Sequence, residues 1–341
     1  MKVLYENTGG EIRVWRFYSY GGEAEVPDCI EGCPVTELAP YAFSAHMEEE
    51  KLETGLKEGR FLLADTGEES AVNRVPPGQK ETEDTLSMLP LALKGMELRK
   101  LNLPRTLKKI GVYAFYNCNA LEKLSFFGGL KDLGAGLFTG CHHLKELHVT
   151  LERGESSCLQ EILMEVPEKL SVTLHGNEEA RLIFPEFYEE GVENTPARIL
   201  MTKMHGSGMN YRNCFYQKVF DFQAYDQCFY RARAEEDFAT VFGMAVGRLL
   251  YPWELGADKK AAYEDYICNH LEEAAREAVG EREKKLLIYL TETFVLPHSN
   301  GRDMLKGMID LATSEGYTEG AAWLLDVLHR TFQTGAKVFE L

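Results

Sequence analysis

One phrase of this sequence occurs twice, with a shift of 23 residues. The matching positions are Ile110, Phe115, Cys118, Leu121 and Leu124, followed by Leu133, Phe138, Cys141, Leu144 and Leu147. Spacing and chemical type agree at every one of these positions. A chain that repeats its apolar anchors at a fixed short period is expected to fold into coils that stack on one another, because one coil alone cannot bury its apolar side.

The period and the leucine-type anchors predict the class of coil. Repeats of roughly 20 to 29 residues with leucines at the anchor positions are typical of leucine-rich solenoids, in which each repeat supplies a short strand to a parallel sheet. Solenoids present extended surfaces to partners. The repeat therefore favours a binding protein over an enzyme with an enclosed cleft.

Length and charge narrow the class of protein further. The chain has 341 residues, which is more than one core usually serves, so two domains are expected. The net charge of −17 opposes general affinity for nucleic acid or for anionic membranes. No stretch approaches the ~20 apolar residues of a membrane helix, and the N-terminus has no apolar signal segment. We therefore expect no nucleic-acid partner, no membrane insertion and a cytoplasmic location.

The repeat is interrupted upstream. Leu98 and Leu101 align with the anchors of the next coil, and this alignment places Ala92 and Gly95 in the Phe and Cys positions. Further upstream, Leu38 and Phe43 keep the five-residue step of Ile110 to Phe115. Residues 47–86 break the pattern, are acidic at both ends and contain Pro-Pro-Gly. They are predicted to be a solvated insertion, with one short amphipathic helix as the alternative.

The remaining segments complete the predicted domain organisation. Residues 151–205 contain a short helical pattern and alternating segments, which indicate an irregular cap on the C-terminal end of the solenoid. From residue 206 onward the apolar residues follow helical spacing, in stripes that begin near Phe238, Tyr263, Leu286, Met304 and Trp323. We predict an α+β protein: a repeat domain of short parallel strands over 1–205 and an all-helical domain over 206–341.

The clearest repeat resembles a known family. The residues of LPRTLKKIGVYAFYNCNALEKLSF are similar to the BspA-like leucine-rich repeat, with Pro104, Ile110, Gly111, Phe115 and Cys118 at the expected places. The segment EVPDCIEGCPVTELAPYAF resembles the opening coil of such proteins. The resemblance covers residues 12–46 and 87–150, and it implies a curved solenoid in a family associated with protein binding and often with cell surfaces.

Side chains alternate between the two faces of each predicted strand, which defines a candidate ligand-facing stripe. Because the leucines point inward, the stripe comprises Lys100, Asn102, Lys123, Ser125, Phe127, Glu146 and His148, continued by Ser171 and Thr173. Phe127 is its only aromatic residue and the best candidate anchor. The alternative is an ordinary solvated sheet face, since exposed polar residues are the rule.

Other constellations predict no chemistry. Cys29 and Cys33 lack a second metal-ligating pair, and Cys141 and His148 should point away from each other, so no metal site is expected. The Gly206-Ser207-Gly208 segment lacks the spacing of a nucleophile elbow. No phosphate-binding glycine loop occurs, so no cofactor and no catalytic residue are predicted. The eight cysteines are expected to be free thiols.

An aromatic run over residues 211–230 is predicted to pack the helical domain against the end of the solenoid, with a peptide-binding groove as the alternative. The leading functional prediction is a non-catalytic protein-interaction module whose partner is another protein. One alternative is a surface or secreted adhesin of the same architecture. The other is a helical effector or enzyme domain that the solenoid targets.

Overall fold

A computed structural model describes residues 1–66, 89–194 and 199–332. These residues form two compact units, Met1–Cys228 and Phe229–Leu341. The fold is α+β, with all the strands in the first unit and long helices throughout the second. The sequence predicted a domain boundary between residues 205 and 206, and that boundary stays a prediction. The chain divides into its two compact units between Cys228 and Phe229.

The first unit contains a sheet in which short strands from successive repeats lie side by side. Its strands are β1 (Lys2–Thr8), β2 (Glu11–Tyr18), β4 (Cys29–Ile30), β5 (Cys33–Leu38), β6 (Leu62–Asp65), β8 (Lys109–Ile110) and β10 (Asp132–Leu133). The order is β10-β8-β5-β2-β1-β6, with β4 paired to β5 alone. Strands β2, β5, β8 and β10 are parallel, and Leu38, Ile110 and Leu133 are aligned across them.

A second sheet takes further short strands from the same repeats. Its strands are β3 (Glu23–Glu25), β7 (Lys100–Asn102), β9 (Lys123–Phe127), β11 (Glu146–Thr150), β12 (Leu170–His175) and β13 (Glu179–Phe184). The first five are parallel neighbours in this order, and β13 pairs antiparallel with β12. Leu101, Leu124 and Leu147 are aligned, so equivalent positions of successive repeats lie beside one another.

The repeated Phe and Cys residues form the interior between the two sheets. The ring centroids of Phe43 and Phe115 lie 5.7 Å apart, and those of Phe115 and Phe138 lie 5.4 Å apart. The thiol of Cys118 donates to the carbonyl oxygen of Phe43 at 3.2 Å, and the thiol of Cys141 donates to that of Phe115 at 3.1 Å. Each thiol thus adds a second hydrogen bond to a carbonyl that already accepts from a backbone amide, which a purely apolar side chain could not do.

The repeated glycine has a steric cause. A Cβ on Gly111 would lie 2.4 Å from the backbone nitrogen of Pro40, and a Cβ on Gly134 would lie 2.3 Å from that of Val112. Successive coils approach so closely at this corner that only glycine fits. The close spacing of these repeats therefore depends on the glycine of the Ile110-Gly111 and Leu133-Gly134 pairs.

The insertion lies inside a coil, and this corrects one alignment made from the sequence. Ala92 was expected in the Phe position of the repeat before Phe115, but Phe43 occupies that position, stacked on Phe115. Gly95 does take the Cys position, because its amide donates to the carbonyl of Phe43 at 3.0 Å as the amide of Cys118 donates to that of Phe115 at 2.9 Å. The same coil then resumes at Leu98 and Leu101, after the insertion. The 23-residue shift failed here because the inserted residues separate the two halves of one coil.

Part of the insertion is structured. Helix α1 (Glu49–Lys57) buries Leu52, and β6 pairs antiparallel with β1. The short amphipathic helix considered from the sequence is therefore present. The remainder of the predicted insertion, residues 67–86, lies outside the described residues.

The C-terminal end of the first unit combines short helices and hairpins. It contains α2 (Leu159–Glu165), the hairpin of β14 (Tyr188–Asn194) with β15 (Ile199–His205), α3 (Gly208–Arg212), the hairpin of β16 (Phe215–Tyr216) with β17 (Val219–Phe220), and α4 (Phe222–Gln227). Because β12 pairs in register with β11, the parallel ladder continues into the predicted cap. The β16–β17 hairpin interrupts a region expected to be wholly helical. Its turn places Gln217 and Lys218 at φ values of 49° and 65°.

The second unit is helical throughout its described part. Its elements are α5 (Phe229–Glu235), α6 (Phe238–Leu250), α7 (Ala257–Asn269), α8 (Leu271–Gly280), α9 (Lys284–Leu290) with a π-helical turn at Thr291–Val295, α10 (Gly301–Ser314) and α11 (Thr318–Phe332). The apolar stripe that begins near Tyr263 is divided between two helices at His270, whose φ of −127° is not helical. Gly316 follows the end of α10 with a φ of 72°, in the left-handed conformation that favours glycine. Among the helices described, none combines the length and the apolarity needed to cross a bilayer.

The cysteines provide a test of this interior. All eight are free, with Cys29 and Cys268 exposed and Cys118, Cys141 and Cys158 buried. Burial raises the pKa of Cys118 and of Cys158 to about 12. Because the thiolate is the reactive species, we expect a thiol reagent to modify the exposed pair rapidly and the four buried cysteines, Cys214 included, only after denaturation. Fewer than eight reactive thiols under denaturing, non-reducing conditions would show a disulfide that contradicts the structure.

Candidate functional site

The outward-facing side chains of the second sheet form three rows, which together we call the strand face. The first row contains Glu23, Lys100, Lys123, Glu146 and Ser171, the second Glu25, Asn102, Ser125, His148 and Thr173, and the third Phe127, Thr150 and His175. Every residue of the predicted stripe lies on this face. The alternating neighbours, such as Leu124 and Phe126, are buried on the opposite side.

Ion pairs connect neighbouring strands along the first row. The ammonium of Lys100 lies 2.7 Å from the carboxylate of Glu23, and that of Lys123 lies 3.4 Å from Glu146. The hydrogen bond to Glu23 raises the pKa of Lys100 above its usual value. Such exposed pairs contribute little to stability. Their consequence is a row of mixed charge, two lysines flanked by two glutamates, that a partner with complementary charges can match.

Two histidines meet in the second and third rows. Nδ1 of His148 lies 3.1 Å from Nε2 of His175, and the two rings stack with centroids 5.3 Å apart. Nε2 of His148 lies 3.7 Å from the carboxylate of Glu146. Both ring nitrogens of His148 are therefore occupied by neighbours, so the ring is not placed to serve as a base for Ser125 on the adjacent strand.

This arrangement predicts a pH dependence. Burial, with Lys123 and His175 beside it, lowers the pKa of His148 below 6.5. The folded protein therefore takes up the proton less readily than the unfolded chain, so stability rises with pH between the folded value and about 6.5. We expect the protein to lose stability on acidification through this window, and His148→Asn to remove that part of the loss. Denaturant melts of both proteins at pH 7.5 and 5.0 measure it, and equal pH dependence would contradict the assignment.

Phe127 is half-buried rather than freely exposed. It lies on the same face as Lys123 and Ser125, at the end of β9, where Thr150 is its neighbour on β11. A half-buried ring already has part of its surface ordered by the protein, and a partner would cover the rest. This agrees with the position expected of an anchor, although the anchor role itself stays a prediction.

A recess adjoins the first row. It has a volume of about 420 Å³ and is lined by His142, Leu144, Lys145, Glu146, Glu168, Lys169 and Ser171. Nδ1 of His142 lies 2.8 Å from the Glu168 carboxylate, which closes one side. Glu146 and Ser171 belong both to the recess and to the strand face, so the two features form one continuous surface.

Some residues of the strand face could not be found from the predicted stripe. Glu23 and Glu25 lie on β3, a strand of three residues, which gives no alternating signal. His175 could have been found, because Leu170, Val172 and Leu174 alternate and the next outward position is 175. In the part of the chain that the structure describes, no group of three or more His, Cys, Asp or Glu side chains could hold a metal ion.

The sequence of the repeats matches a known family. Residues 90–164 match the family model described as a BspA type leucine rich repeat region, in six copies. Residues 90–164 are therefore a BspA-type leucine-rich repeat region. The match contains β7 to β11 and most of α2, whereas β3, β5 and β12 lie outside it and extend the same two sheets.

Other comparisons add one solved structure. The crystal structure of the T. pallidum leucine-rich repeat protein is similar over 51% of this chain and 79% of that chain, with 18% identity and a TM-score of 0.18. The curated proteins gave no match.

Proposed function

We propose that this protein is a non-catalytic protein-interaction module, that its repeats form a curved solenoid, and that the strand face is the binding surface. The observation that carries the proposal is the alignment of Lys100, Lys123 and Glu146, with Phe127 at the edge, across consecutive parallel strands. A sheet face built from in-register repeats holds its side chains at fixed spacing. A partner then meets a surface that needs little ordering on binding.

The size of the strand face limits what it can bind alone. Five strands ~4.8 Å apart and three rows ~6.6 Å apart cover roughly 300 Å². A standard interface buries about 800 Å² on each partner. We therefore propose that the partner also covers the recess lined by His142, Lys145 and Glu168, which continues from the first row.

The charges of the surface indicate the kind of partner. Along the first row Lys100 and Lys123 lie between Glu23 and Glu146, so a surface of one sign would be repelled by half of these charges. A partner with mixed charges and an apolar group for Phe127 fits better. This is the pattern of protein surfaces, and the net charge of −17 opposes nucleic acid as a partner.

The test is affinity capture with a strand-face triple variant, Lys123→Ser, Phe127→Ala and His148→Ser. Its matched control carries Lys260→Ser, Tyr230→Ala and His298→Ser, which likewise change one lysine, one aromatic ring and one histidine, at exposed positions of the helical unit. Proteins captured by the unmodified chain and by the control should fall at least about tenfold with the strand-face variant, the factor for 1.4 kcal/mol. Unchanged recovery by the strand-face variant would remove this face from consideration.

A further inference from the structure

A second recess lies in the first unit, at the corners where the chain leaves β5 and β8. It has a volume of about 600 Å³ and is lined by Pro40, Tyr41, His46, Met47, Glu48, Lys51, Tyr113 and Tyr116. It contains no residue of the strand face. Backbone hydrogen bonds fix the corners, because the amide of Tyr41 donates to the carbonyl of Val112 at 3.2 Å and that of Tyr113 donates to Ala135 at 3.1 Å.

Aromatic rings form most of its wall. The rings of Tyr41 and Tyr113 stack with centroids 5.4 Å apart, and Tyr116 stands nearly perpendicular to Tyr113 at 5.7 Å. The ring of His46 meets Tyr116 at 4.9 Å. Tyr113 is 37% exposed although it contacts two other rings. The recess therefore presents ring faces in two orientations to whatever enters it.

The backbone at two of these tyrosines is in an unfavourable conformation. Tyr41 and Tyr113 have φ values of 59° and 55°, in the left-handed region, and the equivalent position of the next repeat is Gly136 with a φ of 65°. A side chain at such a position strains the backbone, whereas glycine does not. Stacking of the Tyr41 and Tyr113 rings offsets part of that strain. Tyr116 and His46 are not part of the Tyr41–Tyr113 stack, so that stack does not explain why these two positions also carry rings.

The electrostatic environment of the recess is negative. The segment from Met47 to Glu53 contains four glutamates and a single lysine. Glu49 is paired with Lys94 at 2.7 Å, whereas the carboxylate of Glu48, which lines the recess, makes no hydrogen bond or ion pair with the described residues. The ammonium of Lys51, at the edge of the recess, already lies over the ring of Trp15, 4.8 Å from its centroid.

Ring faces in two orientations beside a carboxylate are the arrangement that recognises a quaternary ammonium group. The ring quadrupole attracts a cation without requiring hydrogen-bond donors on it, and the carboxylate adds a charge at short range. We infer that the recess of Tyr41, Tyr113, Tyr116 and Glu48 binds a trimethylammonium group, from a choline-type molecule or a trimethylated lysine. An anion would be repelled by the carboxylate of Glu48, and a neutral ligand would make no use of it.

The direct test is titration with choline, followed by NMR of labelled tyrosine. We expect binding with a dissociation constant on the order of 1 mM, given a few partly exposed cation–π contacts. The neutral isostere 3,3-dimethylbutan-1-ol, which has the same shape without the charge, should bind at least about tenfold more weakly. Equal binding of the two compounds, or no binding of choline at tens of millimolar, would overturn the inference.

Variants separate this site from the strand face. Tyr116→Leu should weaken choline binding by about tenfold, and the matched control Tyr20→Leu, at a 94% exposed position, should leave it unchanged. Glu48→Gln keeps the shape and should weaken choline without affecting the isostere, which covers the case in which Tyr116→Leu fails to fold. The strand-face triple variant should bind choline normally. A peptide with trimethyllysine, compared with its unmethylated form, distinguishes the two sources of the group.

Discussion

Replacing Phe115 with alanine is expected to lower the free energy of unfolding by about 3–5 kcal/mol, the range for large aromatic residues in a packed core. Phe115 is completely buried, and its ring lies between those of Phe43 and Phe138. Its carbonyl also accepts from the thiol of Cys141. Removing the ring leaves a cavity between two repeats that neither neighbour can fill without moving the turn that carries it.

Denaturant unfolding of the full chain, followed by tyrosine and tryptophan fluorescence, measures this loss. Phe127→Ala is the matched control, since it also removes a phenylalanine ring, but from a half-buried position on the outer face of β9. It should cost clearly less than Phe115→Ala. A loss below about 1 kcal/mol for Phe115→Ala would mean that the ring is not packed between repeats.

Arg212→Met should destabilise the first unit by about 3–5 kcal/mol, because it removes the cation that satisfies a set of buried carbonyls. Arg212 is completely buried, and its guanidinium donates to the carbonyls of Leu163 at 2.8 Å and Val166 at 2.9 Å, at the C-terminal end of α2. It also donates to the carbonyls of Glu168 at 2.8 Å and Pro185. Burial lowers the pKa of Arg212 to about 10, so the side chain stays charged at neutral pH.

Lysine at this position separates charge from geometry. Arg212→Lys keeps the charge but offers a compact ammonium instead of a planar fork, so it should recover only part of the loss. The control Arg99→Met, at an exposed position, should lie within about 0.5 kcal/mol of the unmodified protein. Full recovery by Arg212→Lys, or a loss no larger than that of the control, would contradict the role of Arg212.

The interior of the repeats was predictable because each coil repeats its own side chains. Phe115 and Phe138 were expected to stack from their 23-residue shift alone, and they do. The preceding coil was misaligned because Phe43 and Phe115 are 72 residues apart, with the insertion between them. A fixed period cannot detect a coil whose two halves are separated in sequence.

The strand face was predicted in part for the same reason. Residues on strands with an alternating pattern, such as Lys123 and Glu146, were placed correctly, whereas Glu23 on the three-residue β3 was not. Arg212 gave no signal because its partners are backbone carbonyls, which any sequence supplies. The recess of tyrosines depends on left-handed backbone conformations at Tyr41 and Tyr113. Such conformations favour glycine, so the sequence predicted neither these conformations nor a site there.

The packing of one repeat on the next can be measured directly by NMR of the full chain with labelled phenylalanine. Ring centroids 5.4 Å apart require strong nuclear Overhauser effects between the ring protons of Phe115 and Phe138, and these signals should vanish in Phe138→Leu. Ring protons of Phe115 with contacts to other residues but none to Phe138 would show that the two phrases do not stack. The strand face would then have no structural basis.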